Sequence, residues 1–431
     1  MSSSDSSVNS EEDDEHIFER DLPRGRANDP RVTELSAQGW YDIMQDMTAE
    51  DWEQLGREIN NNTHLTKITF EDCIFGRPIQ YQRMSSFFRG LTGSSTINTV
   101  SLTDNDFRVQ GVHDIAPFLQ STSSLTNLDI SQNNIGSEGF NLLWRALCDS
   151  RIKDLTCNGC GIHSIEIDAN HLPKLLTNLY LANNNISADG SGELAKLLQA
   201  ENSRLYQLDL DRNKIDDESV RILADALQNN TSLAFLDLNN NDRITIESKK
   251  TLLKLVLDIS SIKATLGSNH TLMHIKLNYA DNYERSTLIE KEISSALRVN
   301  VANGLIPETT GRQKIIDSQL CCAARSQLCR LQGVEQSNAS FYSQFDPLLL
   351  PEVLALTGKY HEQEDLYIAL RWSFDALFST VNKEVYLKEQ IDYHTGAIYF
   401  HQSKRDKLQA ELGSIQGAGS EYRSAKRPRI E

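Results

Sequence analysis

One apolar template returns along this chain: apolar, two variable, apolar, one variable, apolar, two variable, Asn or Cys, one variable, apolar. Leu65-Ile68-Phe70-Cys73-Phe75, Ile97-Val100-Leu102-Asn105-Phe107 and Leu125-Leu128-Ile130-Asn133-Ile135 fill every slot. So do Ile152-Leu155-Cys157-Cys160-Ile162, Leu176-Leu179-Leu181-Asn184-Ile186 and Leu205-Leu208-Leu210-Asn213-Ile215. Leu233-Leu236-Leu238-Asn241 follows with Ile244 displaced by one, and Leu272-Ile275-Leu277 opens an eighth copy with Ala280 in the Asn slot. Successive copies start 24 to 39 residues apart, and Val32-Leu35-Ala37 reads as a worn half-repeat at the N-terminal end. Six complete fits at near-constant spacing leave chance a poor explanation. A period of this size means one supersecondary unit stacked on the next.

Each slot has a physical reason. The fourth and sixth residues alternate with their neighbours at period two, so they point inward from a short strand. Strands of successive copies pair in parallel, each covering apolar surface that the previous one exposes. Asn in the ninth slot lies where the chain leaves the sheet, and its short amide can satisfy backbone groups that would otherwise be buried without partners. Between copies the spacing turns helical, as in Val220-Leu223-Ala224-Leu227 after Asp216 and Asp217, in Gly139-Phe140-Leu143-Ala146-Leu147 and in Leu194-Leu197-Leu198. Strands inside and wider helices outside force the stack to curve.

These copies resemble leucine-rich repeats of the long, helix-backed ribonuclease-inhibitor-like type, over roughly Pro30 to Arg298. The layout is also similar to uncharacterised algal leucine-rich proteins and, more distantly, to the Ran GTPase-activating protein. The resemblance implies an α/β fold, a right-handed leucine-rich-repeat solenoid (horseshoe) with a parallel inner sheet and outer helices. It implies a curved surface that holds another macromolecule. The 39-residue interval before Leu272 is expected to contain an enlarged helix, with regular stacking lost beyond Ile244.

The expected organisation has four parts: a disordered acidic tail over 1–29, the solenoid over 30–298, a helical C-terminal region or cap over 299–416, and a tail over 417–431. The first carries nine acidic residues against Arg20, Arg24 and Arg26, and Ser10 before Glu11-Glu12-Asp13 suits an acidophilic kinase. The third contains Leu366-Ala369-Leu370-Phe374-Leu377-Phe378 at helical spacing, as the exposed end of a solenoid requires. The last contains Lys426, Arg427 and Arg429, a compact basic run similar to a nuclear import signal. With no basic or apolar leader and no bilayer-length apolar run, a cytoplasmic protein is the expectation, with nuclear entry left open by the basic run. No membrane partner is expected.

Chemistry is scarce. Cys157-x-x-Cys160 has the spacing of a metal or redox pair, but the repeat accounts for both residues: Cys157 fills the inward sixth slot and Cys160 the ninth, as Cys73 does. Cys321, Cys322 and Cys329 lack His partners at ligand spacing, and all seven thiols are expected to be reduced. There is no phosphate loop, no H-E-x-x-H and no G-x-S-x-G. The expectation is no catalytic centre, no cofactor and no metal.

Slots three, five, seven and eight should face the concavity. Over the eight copies they hold eight acidic and three basic side chains, a net of −5. The candidate binding residues are Asp129, Asp154, Tyr180, Asp209, Asp211, Arg212, Phe235 and Asp237; Cys73, Asn105, Asn133, Cys160, Asn184, Asn213 and Asn241 form the structural ladder. Asp between two leucines is also common in this repeat class and then only solvates the strand. A chain of net charge −17 is a poor nucleic-acid ligand, so the expected partner is a protein with a basic patch, steered by charge. The leading expectation is therefore a non-catalytic protein-interaction scaffold. The alternative is a Ran-type regulator of a small GTPase with Arg212 as its working arginine, although the acidic tail lies at the other end from that family's and no catalytic set matches.

Overall fold

Every copy of the template forms a strand in which buried residues alternate with half-buried or exposed ones. They run β1 (Glu34–Gln38), β2 (Lys67–Glu71), β3 (Thr99–Ser101), β4 (Asn127–Asp129), β5 (Asp154–Thr156), β6 (Asn178–Tyr180), β7 (Gln207–Asp209), β8 (Phe235–Asp237) and β9 (His274–Lys276). They form one nine-stranded sheet in sequential order. All pairings are parallel and without slippage. Leu35, Ile68, Val100, Leu128, Leu155, Leu179, Leu208, Leu236 and Ile275 thus stand in a single buried row. The structure, a computed structural model, describes residues 20–39, 47–73, 78–169, 171–277, 288–303 and 307–315, with Ser318, Leu328, Leu331 and Gln332.

The helices are α1 (residues 20–26), α2 (Ala49–Asn60), α3 (Pro78–Gly90), α4 (Arg108–Ser121), α5 (Gly136–Leu147), α6 (Ala188–Gln199), α7 (Asp217–Leu227), α8 (Ile246–Val256), α9 (Ile262–Leu266), α10 (Leu288–Ala302) and α11 (Pro307–Ile315). Their starts obey local chemistry. Thr48 caps α2 through a reciprocal bond with Asp51, Asp216 accepts the Ser219 N–H at the head of α7, and Thr245 caps α8. Gly56 and Gly90 let α2 and α3 touch backbone to backbone: a Cβ on either would lie 2.2 Å from a carbonyl oxygen of the other helix. Helices packed at about 8–10 Å behind strands at about 4.8 Å make the sheet side concave.

The chain divides into two compact units, 1–258 with 264–311, and 259–263 with 312–431. The first unit holds the whole sheet. In the second, the Ile259 N–H donates to Gln332 Oε1 at 3.2 Å.

Several expectations need correction. Residues 20–29, read as tail, are ordered: Leu22 is 2% exposed, and the Asn62 amide donates to the Gly25 carbonyl at 2.6 Å, closing the end of the core. The worn half-repeat is a full strand, β1. Stacking continues past Ile244, because β9 pairs with β8 in register. The long interval before Leu272 holds two helices, α8 and α9, instead of one enlarged helix, and α10 runs past 298 to Ala302. Its Glu290, 3% exposed, takes Lys249 of α8 at 2.5 Å, so this helix packs as part of the repeat layer. Finally, no described helix joins β5 to β6: the 24-residue spacing is too short for strand, turn, helix and return, and residues 157–169 and 171–177 run without one. The acidic residues 1–19, Cys321, Cys322, Cys329 and the basic run Lys426, Arg427, Arg429 lie outside the described residues, as does nearly all of 316–431.

Candidate binding surface

Because register is preserved, side chains from different repeats align in rows across the inner face. Slot three gives Lys67, Thr99, Asn127, Asp154, Asn178, Gln207, Phe235 and His274. Slot five gives Thr69, Ser101, Asp129, Thr156, Tyr180, Asp209, Asp237 and Lys276. Neighbours within a row are one strand spacing apart, about 4.8 Å. All candidate residues in slots three and five therefore share one surface. Asn278 and Tyr279 of the last copy lie outside the described residues.

The acidic residues on this surface are not equivalent. Asp154 accepts amide bonds from Asn127 on one side and Asn178 on the other, which occupies both its oxygens. Asp237 accepts the Asn239 N–H at 3.0 Å through one oxygen and Lys276 at 2.8 Å through the other. Asp129 and Asp209 each accept one loop N–H, from Ser131 and Asp211, both at 2.9 Å. These bonds close the turn after each strand, so part of the acidic character is structural. Asp209 is the case where burial dominates: desolvation, with Asp237 and Asp211 nearby, raises its carboxyl above the ordinary range despite the Asp211 N–H and Lys276. Tyr180 beside it is also raised by desolvation and by Asp154 and Asp209. Lys276 is raised by its bond to Asp237, so a fixed cation borders the acidic centre.

Phe235 belongs to a shelf of three rings. It stacks on His274 with centroids 4.7 Å apart and 18° between planes, and meets Tyr206 at 5.2 Å. Tyr206 is 41% exposed. Sequence reasoning missed this shelf, because Tyr206 sits in slot two, one residue before its strand, and His274 belongs to a copy with an incomplete template. An aromatic next in line to Phe235 on the preceding copy was the available signal.

Slot eight behaves differently from slots three and five. Asp72, Asp104, Gln132, Asn183, Arg212 and Asn240 have φ between 50° and 58°, and Gly159 has 65°. This left-handed turn throws the side chain onto the rim of the sheet. Asn, Asp and Gly suit it; Arg212 does so less well. Its side chain is 67% exposed and 3.8 Å from Asp211, whose other oxygen takes the Asn240 amide at 2.7 Å. Arg212 thus stands exposed beside the half-buried Asp211.

The ladder lies beneath. Asn133 accepts the N–H groups of Asn105 and Phe107 at 2.9 and 3.1 Å and donates to the Leu102 and Ile130 carbonyls at 2.7 and 2.8 Å. Asn105, Asn184, Asn213 and Asn241 occupy the same position between neighbouring copies. Cys73 and Cys160 donate a thiol to the carbonyls of Gly39 and Ile130, at 3.1 and 3.3 Å. Burial pushes both thiols up to about 12, and Cys157 well up, so these are unreactive packing groups. Among the described residues no group of three or more His, Cys, Asp or Glu could hold a metal ion, and no helix is long and apolar enough to cross a membrane.

No family profile matches the chain. Individual relatives do. Ribonuclease inhibitor of Sus scrofa is 28% identical over 35% of this chain and 34% of its own length. "NACHT, LRR and PYD domains-containing protein 14" of Mus musculus is 28% identical over 51% of this chain and 21% of its own. "Leucine-rich repeat-containing protein 45" of Gallus gallus is 28% identical over 36% and 19%. The chain thus matches about a third or less of the length of each. With nine parallel strands alternating with helices, these similarities support a leucine-rich-repeat, ribonuclease-inhibitor-like solenoid.

Proposed function

We propose that this leucine-rich-repeat, ribonuclease-inhibitor-like chain is a non-catalytic interaction scaffold whose inner sheet face holds a protein through a basic patch. One observation carries the reading: Tyr180, Asp209 and Phe235 lie on adjacent strands of one sheet face, two half-buried rings around a half-buried carboxylate. Rings of this kind anchor interfaces, and acidic neighbours steer a cationic partner. The experiment is capture of partners by the full chain at low salt, followed by affinity measurement. Affinity should fall as salt rises, and Tyr180→Ala with Phe235→Ala should cost about 1–3 kcal/mol. An affinity indifferent to both changes refutes the reading.

The alternative, a Ran-type GTPase-activating regulator, draws on Arg212, an exposed guanidinium held on the rim by a left-handed backbone. Stimulated GTP hydrolysis by a small GTPase, lost in Arg212→Ala, is the result that would favour it.

A further inference from the structure

The copy that carries β5 breaks the pattern twice, on both sides of the same strand. Behind the sheet, helices α2 to α5 pack in succession and so do α6 to α8, but α5 and α6 do not pack as a pair. Their place is taken by the chain after β5, which buries Ile162, Ile165 and Ile167. It is tied outward by polar bonds. The Glu166 N–H donates to Asn141 of α5 and the Ile167 N–H to Glu193 of α6, both at 3.0 Å, while Ser137 accepts the Ser164 N–H at 2.8 Å. Arg145 and Glu166 pair at 2.8 Å, both mostly exposed.

The second break is in the ladder. The N–H groups of Phe107, Ile162, Ile186 and Ile215 each donate to the Asn of the following copy, at 3.0 to 3.1 Å. Ile135 has Cys160 there instead, and a thiol offers no comparable acceptor. Its N–H turns back to the Asn133 carbonyl at 2.7 Å. On the two helices that border the gap, Trp144 Nε1 and Ser191 Oγ are buried without a partner.

Bending a solenoid about its sheet stretches or compresses the outer layer. Apolar helix contacts resist this, whereas the hydrogen bonds at the partly exposed edge of the layer can be exchanged for bonds to water at smaller net cost. We infer that the copy carrying β5 is a built-in hinge. The arc opens there about the continuous sheet, and the 157–177 segment releases Asn141 and Glu193 while the helix-backed blocks on either side stay folded.

Hydrogen exchange on the full chain tests this. The Glu166 and Ile167 amides, bonded to different helices, should exchange together, roughly tenfold or more faster than the amides within α7, and without sensitivity to low urea. Cys160→Asn restores the missing acceptor and should slow exchange at Ile135 and across 157–177 several-fold. Protection of Glu166 and Ile167 equal to that of α7, or loss of the two at unrelated rates, overturns the inference. Should Cys160→Asn fail to fold, the wild-type pattern alone decides.

Discussion

The two ends of the sheet use aromatic residues in opposite ways. Around β2, Trp52, Phe70 and Phe87 are fully buried and meet edge to face at 5.3 to 6.3 Å, and Phe88 meets Phe118 at 5.2 Å. The inner face there shows Lys67, Thr69, Thr99 and Ser101. From β6 to β9 the core is aliphatic, mostly leucine and isoleucine, and the rings of Tyr180, Tyr206 and Phe235 come to the front. Phe70 occupies slot six and Tyr180 slot five, and in a strand that one-residue difference moves a side chain from core to surface. The first copies thus place their rings where they stabilise, and the later ones where they can touch a partner.

Substitutions can break this contrast. Phe87→Ala should have the largest effect, about 3–5 kcal/mol of stability in urea unfolding, because the cavity lies among rings that cannot collapse onto it. A cost below that of Tyr180→Ala would reverse the assignment of roles. Asn133→Ala should cost about 3 kcal/mol, since it strands the buried N–H groups of Asn105 and Phe107 and two carbonyls at once. Thermal unfolding of that variant alongside Asn127→Ala, a surface residue, provides the comparison; equal losses would contradict it.

Asp209→Asn should sharpen the contrast by a smaller amount. Desolvation raises the folded carboxyl above its unfolded value of about 3.9. The stability tied to Asp209 is therefore present below the unfolded value and lost as pH rises through the folded one. At neutral pH the Asn variant should be slightly more stable than the parent, with a flatter stability profile across the acidic range, and should bind the basic partner more weakly. Denaturation midpoints from pH 4 to 7 check the first part, and a less stable variant at pH 7 would show that the carboxylate is not held against its preference.

Much of this was legible without coordinates. The slots named the buried row from Ile68 to Ile275 and the ladder from Cys73 to Asn241, because period-two alternation and the turn after each strand are local. Asp216 and Asp217 announced α7 by the same kind of local chemistry. The helical start at 20–26 was hidden because its arginine-rich composition, continuous with an acidic stretch, is that of a tail, and only Leu22 and Gly25 are buried. The left-handed backbone of slot eight was not recognised, although Asn, Asp and Gly recur there.

The sequence by itself therefore determined which side chains are inside, which are outside and in what order the copies stack. Only the tertiary structure decided which residues, 24 to 39 positions apart, become neighbours within a row. It paired Phe235 with His274 and Tyr206, and it occupied both oxygens of Asp154 and Asp237. It also left the helix layer open behind β5. The reason is physical: alternation is set by the backbone of one strand, whereas lateral contact exists only once parallel register has brought separate strands within about 4.8 Å.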